Sequence, residues 1–101
     1  MPTKERTYTE GEIDEKLKAL PGWWVENGWI RRTYKTDGWP TTLMLVNAIG
    51  FLAEAADHHP DLTVRYTRVR VSWSTHSAGG ITAKDFDGAE RTEAVARAFS
   101  R

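Results

Sequence analysis

The chain of 101 residues contains no cysteine. That absence excludes a disulfide framework, a thiolate nucleophile and any cysteine-ligated metal, and it fits a reducing compartment. Excess charge is missing too: fourteen Lys and Arg offset fourteen Asp and Glu, with no run of either sign. Such a chain has no broad positive field to steer it onto nucleic acid or an anionic membrane, so no direct nucleic-acid partner is expected. No stretch reaches membrane-spanning length, and the N-terminal MPTKERTYTEGEIDEKL lacks the apolar centre of a signal peptide. A soluble, cytoplasmic protein with no membrane partner is expected. Repeats and low-complexity segments are also absent. A chain of this length makes one domain, small enough for a neighbouring subunit to supply much of its stability. Histidine is scarce, and two of the three stand side by side before a proline, at positions 58 and 59 in AEAADHHPDLTVRY.

Residues 1–8 read as a flexible N-terminal tail, followed by one domain over 9–101. Thr9 and Glu12 form a capping-box pair that opens a short helix carrying Ile13, Leu17 and Leu20, which Pro21-Gly22 stops. In WWVENGWIRRTYK, Asn27-Gly28 is a two-residue hairpin turn between aromatic and β-branched arms. Pro40 suits the first turn of a second helix that continues to the histidine pair. From Leu43 to Ala56 that helix is apolar on nearly every side, interrupted only by Asn47, Gly50 and Glu54. One face is expected on a sheet and another under a neighbouring subunit. Leu62, Val64 and Tyr66, then Val69, Val71 and Trp73, alternate with polar residues as two half-buried strands joined through Thr67-Arg68. Thr82 with Asp85 opens a final helix. The order α-β-β-α-β-β-α predicts an α+β fold, a four-stranded antiparallel sheet with three helices on one face.

Proline disfavours helical geometry in the residue before it, so His58 and His59 are expected to cap the carboxyl end of the second helix. Its macrodipole favours a cation there. Glu54 lies four residues before His58, the spacing of a shared helix face, which predicts a carboxylate–imidazole pair. His76, at the end of the fourth strand, points to the polar side, and three imidazoles can meet at one edge of the sheet. Plain C-terminal caps and a surface strand-end histidine fit the same positions. A three-histidine zinc site is the weaker reading, because adjacent helical residues diverge by about 100°. Five tryptophans are many for this length; Trp73 belongs in the core, while Trp23, Trp24, Trp29 and Trp39 crowd the first hairpin and its exit, where core, interface or stacking on a flat ring are all open.

The order Glu54, three residues, His58-His59-Pro60, five residues, Tyr66, nine residues, His76, eight residues, Asp85 resembles the signature of the pterin-4a-carbinolamine dehydratase family. The likeness extends from Gly22-Trp23 through the last helix. It implies dehydration of 4a-hydroxytetrahydropterin to quinonoid dihydropterin and water, recycling the pterin cofactor of aromatic amino-acid hydroxylases. It also implies a homodimer or homotetramer that uses no metal and no organic cofactor. Carried over, the pattern makes His58 and His76 the acid–base pair and has His59 bind and polarise the pterin. Glu54 would hold its histidine, with Asp85 and Trp23 beside the substrate and Tyr66 serving in packing. Leu62 departs from the pattern, standing where the family often has an aromatic residue next to the pterin. The family also includes dehydratase-like proteins that act as RuBisCO assembly factors in a carboxysome context. The alternative reading is therefore a non-catalytic chaperone whose partner is the RuBisCO large subunit.

Overall fold

Local signals decide where the elements begin. The computed structural model describes residues 5–99. In the tail expected over residues 1–8, the first four lie outside the described residues and the rest is tied down. The Tyr8 N–H donates to Ile81 O at 2.8 Å, its ring meets that of Phe86, and Glu5 pairs with Lys84. Helix α1, Glu10–Leu17, starts at Thr9 in a capping box, the Thr9 hydroxyl accepting from the Glu12 N–H while the Glu12 carboxylate accepts from the Thr9 N–H. Strands β1, Trp24–Glu26, and β2, Trp29–Lys35, meet at Asn27 and Gly28. The φ values there, 51° and 81°, are those the tight hairpin requires. Helix α2, Trp39–Ala56, carries Pro40 in its first turn, where a missing N–H costs no helical hydrogen bond.

Strands β3, Asp61–Arg65, and β4, Arg68–Trp73, follow, then a 3₁₀ turn at His76–Ala78 and helix α3, Ala83–Ala96. The β3–β4 turn falls on Tyr66-Thr67, one residue before the expected Thr67-Arg68, because Leu62 pairs with Val71 and Val64 with Val69. A slip of one would send those apolar side chains to opposite faces. Tyr66 is therefore exposed in the turn rather than packed.

The sheet runs β1-β2-β4-β3, antiparallel throughout. Ile30, Tyr34, Val69, Val71 and Trp73 point to one face, where they pack with Leu45, Ile49 and Ala53 of α2 and with Phe86 and Ala89 of α3. Among the described residues the opposite face carries no helix. The α+β architecture is thus the one the element order predicts. Among the described residues no helix is long and apolar enough to cross a membrane. The outer face of α2 stays uncovered, with Met44 50% and Phe51 77% exposed.

Two of the contacts that hold α3 in place have consequences for single substitutions or for ionisation. Glu93 accepts from Trp23 Nε1 and Arg32, each at 2.9 Å, and from the Tyr34 hydroxyl. Burial first, and the carboxylate second, hold the Tyr34 phenol above its ordinary value, so it remains a donor. The other contact is steric. A Cβ at Gly88 would fall 2.7–2.9 Å from ring atoms of Trp73. Gly88→Ala is therefore expected to destabilise, since overpacking costs about 1–3 kcal/mol and outweighs the roughly 1 kcal/mol regained by removing a helical glycine. Gly11→Ala, whose nearest neighbour is 4.0 Å away, should instead leave stability unchanged or raise it by up to about 1 kcal/mol. Urea unfolding of the two variants checks the opposite signs.

Candidate active site

The site begins where α2 ends. Asp57 adopts a left-handed conformation, φ 51° and ψ 40°. Its N–H donates to Glu54 O, and that of His58 to Ala53 O, both at 3.1 Å. This is the bond pair of a Schellman turn, which satisfies the last helical carbonyls and breaks the helix before the histidines. The expected Glu54–His58 pair is consequently not formed, because four-residue helical spacing no longer applies. Glu54 Oε1 instead meets His59 Nε2 at 2.8 Å on the surface, with His59 56% exposed.

His58 turns inward. Its Nε2 lies 2.7 Å from Asp85 Oδ1, its ring stacks on Trp73 with centroids 5.5 Å apart, and its side chain is only 14% exposed. Asp85 is fully buried, and its other oxygen accepts from the Thr75 hydroxyl at 2.7 Å and the Thr82 N–H at 2.9 Å. The Thr82 contact belongs to the capping box of α3. One carboxylate thus starts a helix, fixes the segment that follows β4 and orients an imidazole. A carboxylate only accepts, so this network assigns the His58 proton to Nε2 and leaves Nδ1 free to exchange one.

His76 follows Thr75 immediately and opens the 3₁₀ turn rather than ending β4. It is exposed and lies edge-on to Trp29, with centroids 5.1 Å apart. Trp73 pairs with Ile30, so the side chains of Trp73 and Trp29 alternate to opposite faces of the sheet. His58 and His76 thus flank the Thr75 segment, one on the helix side and one on the open side. Trp23 is not beside them: it is buried, with its N–H on Glu93. Leu62 is half-buried against α2 and lines a shallow groove with Val46 and Phe51. Among the described residues no three His, Asp or Glu side chains converge as a metal site would require. Sequence reasoning passed over Thr75 and the direct contacts of Trp73 and Trp29. The alternation that puts Val71 and Trp73 inward, continued by one step, would have pointed Thr75 toward the core.

Residues 6–95 match the family model described as pterin 4 alpha carbinolamine dehydratase. The chain belongs to that family. A Chloroflexus aurantiacus relative, provisionally named pterin-4-alpha-carbinolamine dehydratase, is 49% identical over 78 residues, which is 77% of this chain and 84% of the relative. A relative from Aquifex aeolicus, provisionally given the same name, is 45% identical over 80 residues, 79% of this chain and 81% of its own. A Brucella melitensis crystal structure, described as a transcriptional coactivator/pterin dehydratase, superposes with a TM-score of 0.86 at 34% identity, covering 90% of this chain and 99% of that one. A pterin dehydratase-like RuBisCO assembly factor of the alpha-carboxysome superposes at 0.61 with 17% identity, covering 73% and 86%, a likeness of fold alone.

Asp85→Ala would leave the Thr82 N–H, the Thr75 hydroxyl and His58 without their acceptor. Each buried unsatisfied group costs about 1–3 kcal/mol, and relaxation recovers part, so a net loss of about 2–4 kcal/mol is expected in denaturant unfolding. In the wild type, ring-nitrogen NMR at neutral pH should find a proton on His58 Nε2 that exchanges more slowly than any on His59. Fast exchange at both rings would contradict the Asp85 contact.

Proposed function

We propose that the protein dehydrates a 4a-hydroxytetrahydropterin to quinonoid dihydropterin and water. The observation that carries this reading is the buried Asp85 carboxylate, which joins His58 to Thr75 next to His76. The reaction needs one proton in and one proton out. The C4a hydroxyl takes a proton and leaves as water, while a ring nitrogen gives one up as the double bond forms. Two imidazoles flanking a flat ring suit an acid and a base, since an imidazole can serve in either role. His58 would use Nδ1, with Asp85 offsetting the charge the ring gains on taking a proton. His76 would serve from the other side. His59, tethered by Glu54, would bind and polarise the pterin. Asp85 has both oxygens engaged by protein groups, so its part is to position His58. Trp29 supplies the aromatic surface nearest His76 that Leu62 does not. The cysteine-free composition fits a cytoplasmic setting. The assembly-factor alternative gains no support from a likeness of fold alone.

Decay of freshly generated 4a-hydroxytetrahydropterin provides the test. One positioned acid or base is worth about 10²- to 10⁴-fold, so His58→Ala and His76→Ala should each slow dehydration within that range, and the double variant should approach the uncatalysed rate. Neither role calls for a metal, so chelator should not change the rate. A wild type that fails to accelerate the decay would sink the enzymatic reading. An active His76→Ala would sink only the assignment of the pair.

We also propose that the protein is a homodimer or homotetramer assembled through α2. The uncovered Leu43, Met44 and Phe51, together with the groove beside Gly50 and Leu62, support it. Exposed apolar surface of this kind marks an interface. Sedimentation should show at least a dimer at micromolar concentration, and Phe51→Glu should shift the population toward monomer. A wild-type monomer under those conditions would refute the assembly.

A further inference from the structure

The open face of the sheet concentrates positive charge. Lys35, Arg68 and Arg65 stand opposite one another in a row across β2, β4 and β3, and Thr33, Arg70 and Thr63 form the next row. All six side chains are exposed. Strands lie about 4.8 Å apart, so the three cations of the first row occupy roughly 10 Å, with Arg70 about 7 Å further along its strand. The two threonines and three arginines line a shallow depression of about 410 Å³. Of the other described arginines four are matched, Arg6 with Glu12, Arg31 with Glu26, Arg32 with Glu93 and Arg91 with Asp87, while Arg97 at the end of the last helix has no ion pair. Among the described residues Lys35, Arg65, Arg68 and Arg70 have no ion-pair partner. The acid nearest them in the ladder on this face is Asp61, one row beyond Arg70 and opposite Ser72. Like charges directly opposite across a ladder destabilise it. A chain of zero net charge has therefore gathered unmatched cations where they weaken its own sheet.

We propose that this face binds a compact anion carrying two or more phosphate groups, either free inorganic oligophosphate or the phosphate tail of a nucleotide. Guanidinium groups meet phosphate oxygens in paired hydrogen bonds, and the flanking threonine hydroxyls add neutral donors. Cations spaced along both the row and the strand suit successive phosphoryl groups rather than one. The patch is short and its six side chains include no aromatic, whereas a nucleic-acid track needs a longer run of phosphate contacts and, for single strands, stacking platforms. A search for charge runs misses the site because alternation scatters its members along the sequence. The inference is independent of the dehydration reading.

The experiment is calorimetric titration at constant ionic strength with sodium triphosphate, ATP, sulfate and an oligothymidylate, using the wild type, Arg68→Gln and Arg91→Gln. Triphosphate should saturate at one per chain with Kd below about 1 mM, and sulfate should bind at least about tenfold more weakly. Arg68→Gln should weaken triphosphate about tenfold or more without lowering the apo melting temperature, because it relieves repulsion rather than removing a contact. Arg91→Gln should bind as the wild type does. ATP equal to triphosphate would indicate that the phosphates suffice, and tighter ATP would mark a nucleotide; both support the site. The proposal is overturned by an absence of saturable triphosphate binding, by an equal loss in Arg91→Gln, or by oligothymidylate binding that strengthens with length and exceeds triphosphate.

Discussion

A carboxylate with no solvent exposure is the constraint around which the molecule is arranged. An ionised group taken out of water costs several kcal/mol unless its lone pairs are engaged. Asp85 meets that condition by drawing in three parts of the chain: His58 after α2, Thr75 just after β4, and the Thr82 N–H at the start of α3. None of the three is near Asp85 by accident of packing alone, because each supplies a donor to the same group. The start of a helix and the orientation of an imidazole are therefore a single problem with a single solution. A change that loosened α3 at its first turn would also release His58.

Trp73 makes the same coupling through apolar contact. It is nearly fully buried, carries the His58 ring on its indole and takes α3 so closely at Gly88 that no Cβ fits. Its N–H is satisfied by Thr92, one further turn along α3. The indole thus sets both how near α3 comes to the sheet and how deep His58 sits. A site built this way is rigid on its His58 side, whereas His59 and His76 stand at the surface with fewer restraints. Restraint is thus concentrated on one of the three imidazoles.

What could be read from the chain is what neighbours along the chain decide. Both capping boxes, the Asn-Gly hairpin, the proline in the first turn of α2 and the inward alternation of Val69, Val71 and Trp73 all rest on contacts within a few residues. The helix end at Asp57 was not legible, because a left-handed residue there is usually glycine and nothing nearby marks an aspartate for that role. From that one conformation follow the loss of the Glu54–His58 pair and its replacement by Glu54–His59. The Glu93 cluster escaped for a different reason: Trp23, Arg32 and Tyr34 lie some sixty to seventy residues away from it in sequence. Only the pairing of strands brings them together, so the place of Trp23 against α3 cannot be read from its neighbours along the chain.

The layered architecture explains why the remaining surfaces differ so sharply. A four-stranded sheet with helices on one side has two exposed boundaries that the core cannot satisfy: the outer flank of the helical layer and the bare face of the sheet. On the helical side the unmet demand is apolar, since α2 is too hydrophobic for the single face it buries. On the sheet side the alternation that sends Val69 and Val71 inward necessarily sends Arg68 and Arg70 outward, and the neighbouring strands add Lys35 and Arg65 in register. Polar residues were required there, but cations in particular were not, because threonine at every such position would keep the alternation without the repulsion. The choice of cations over threonine at those positions is therefore a feature of the open face that the fold itself does not demand.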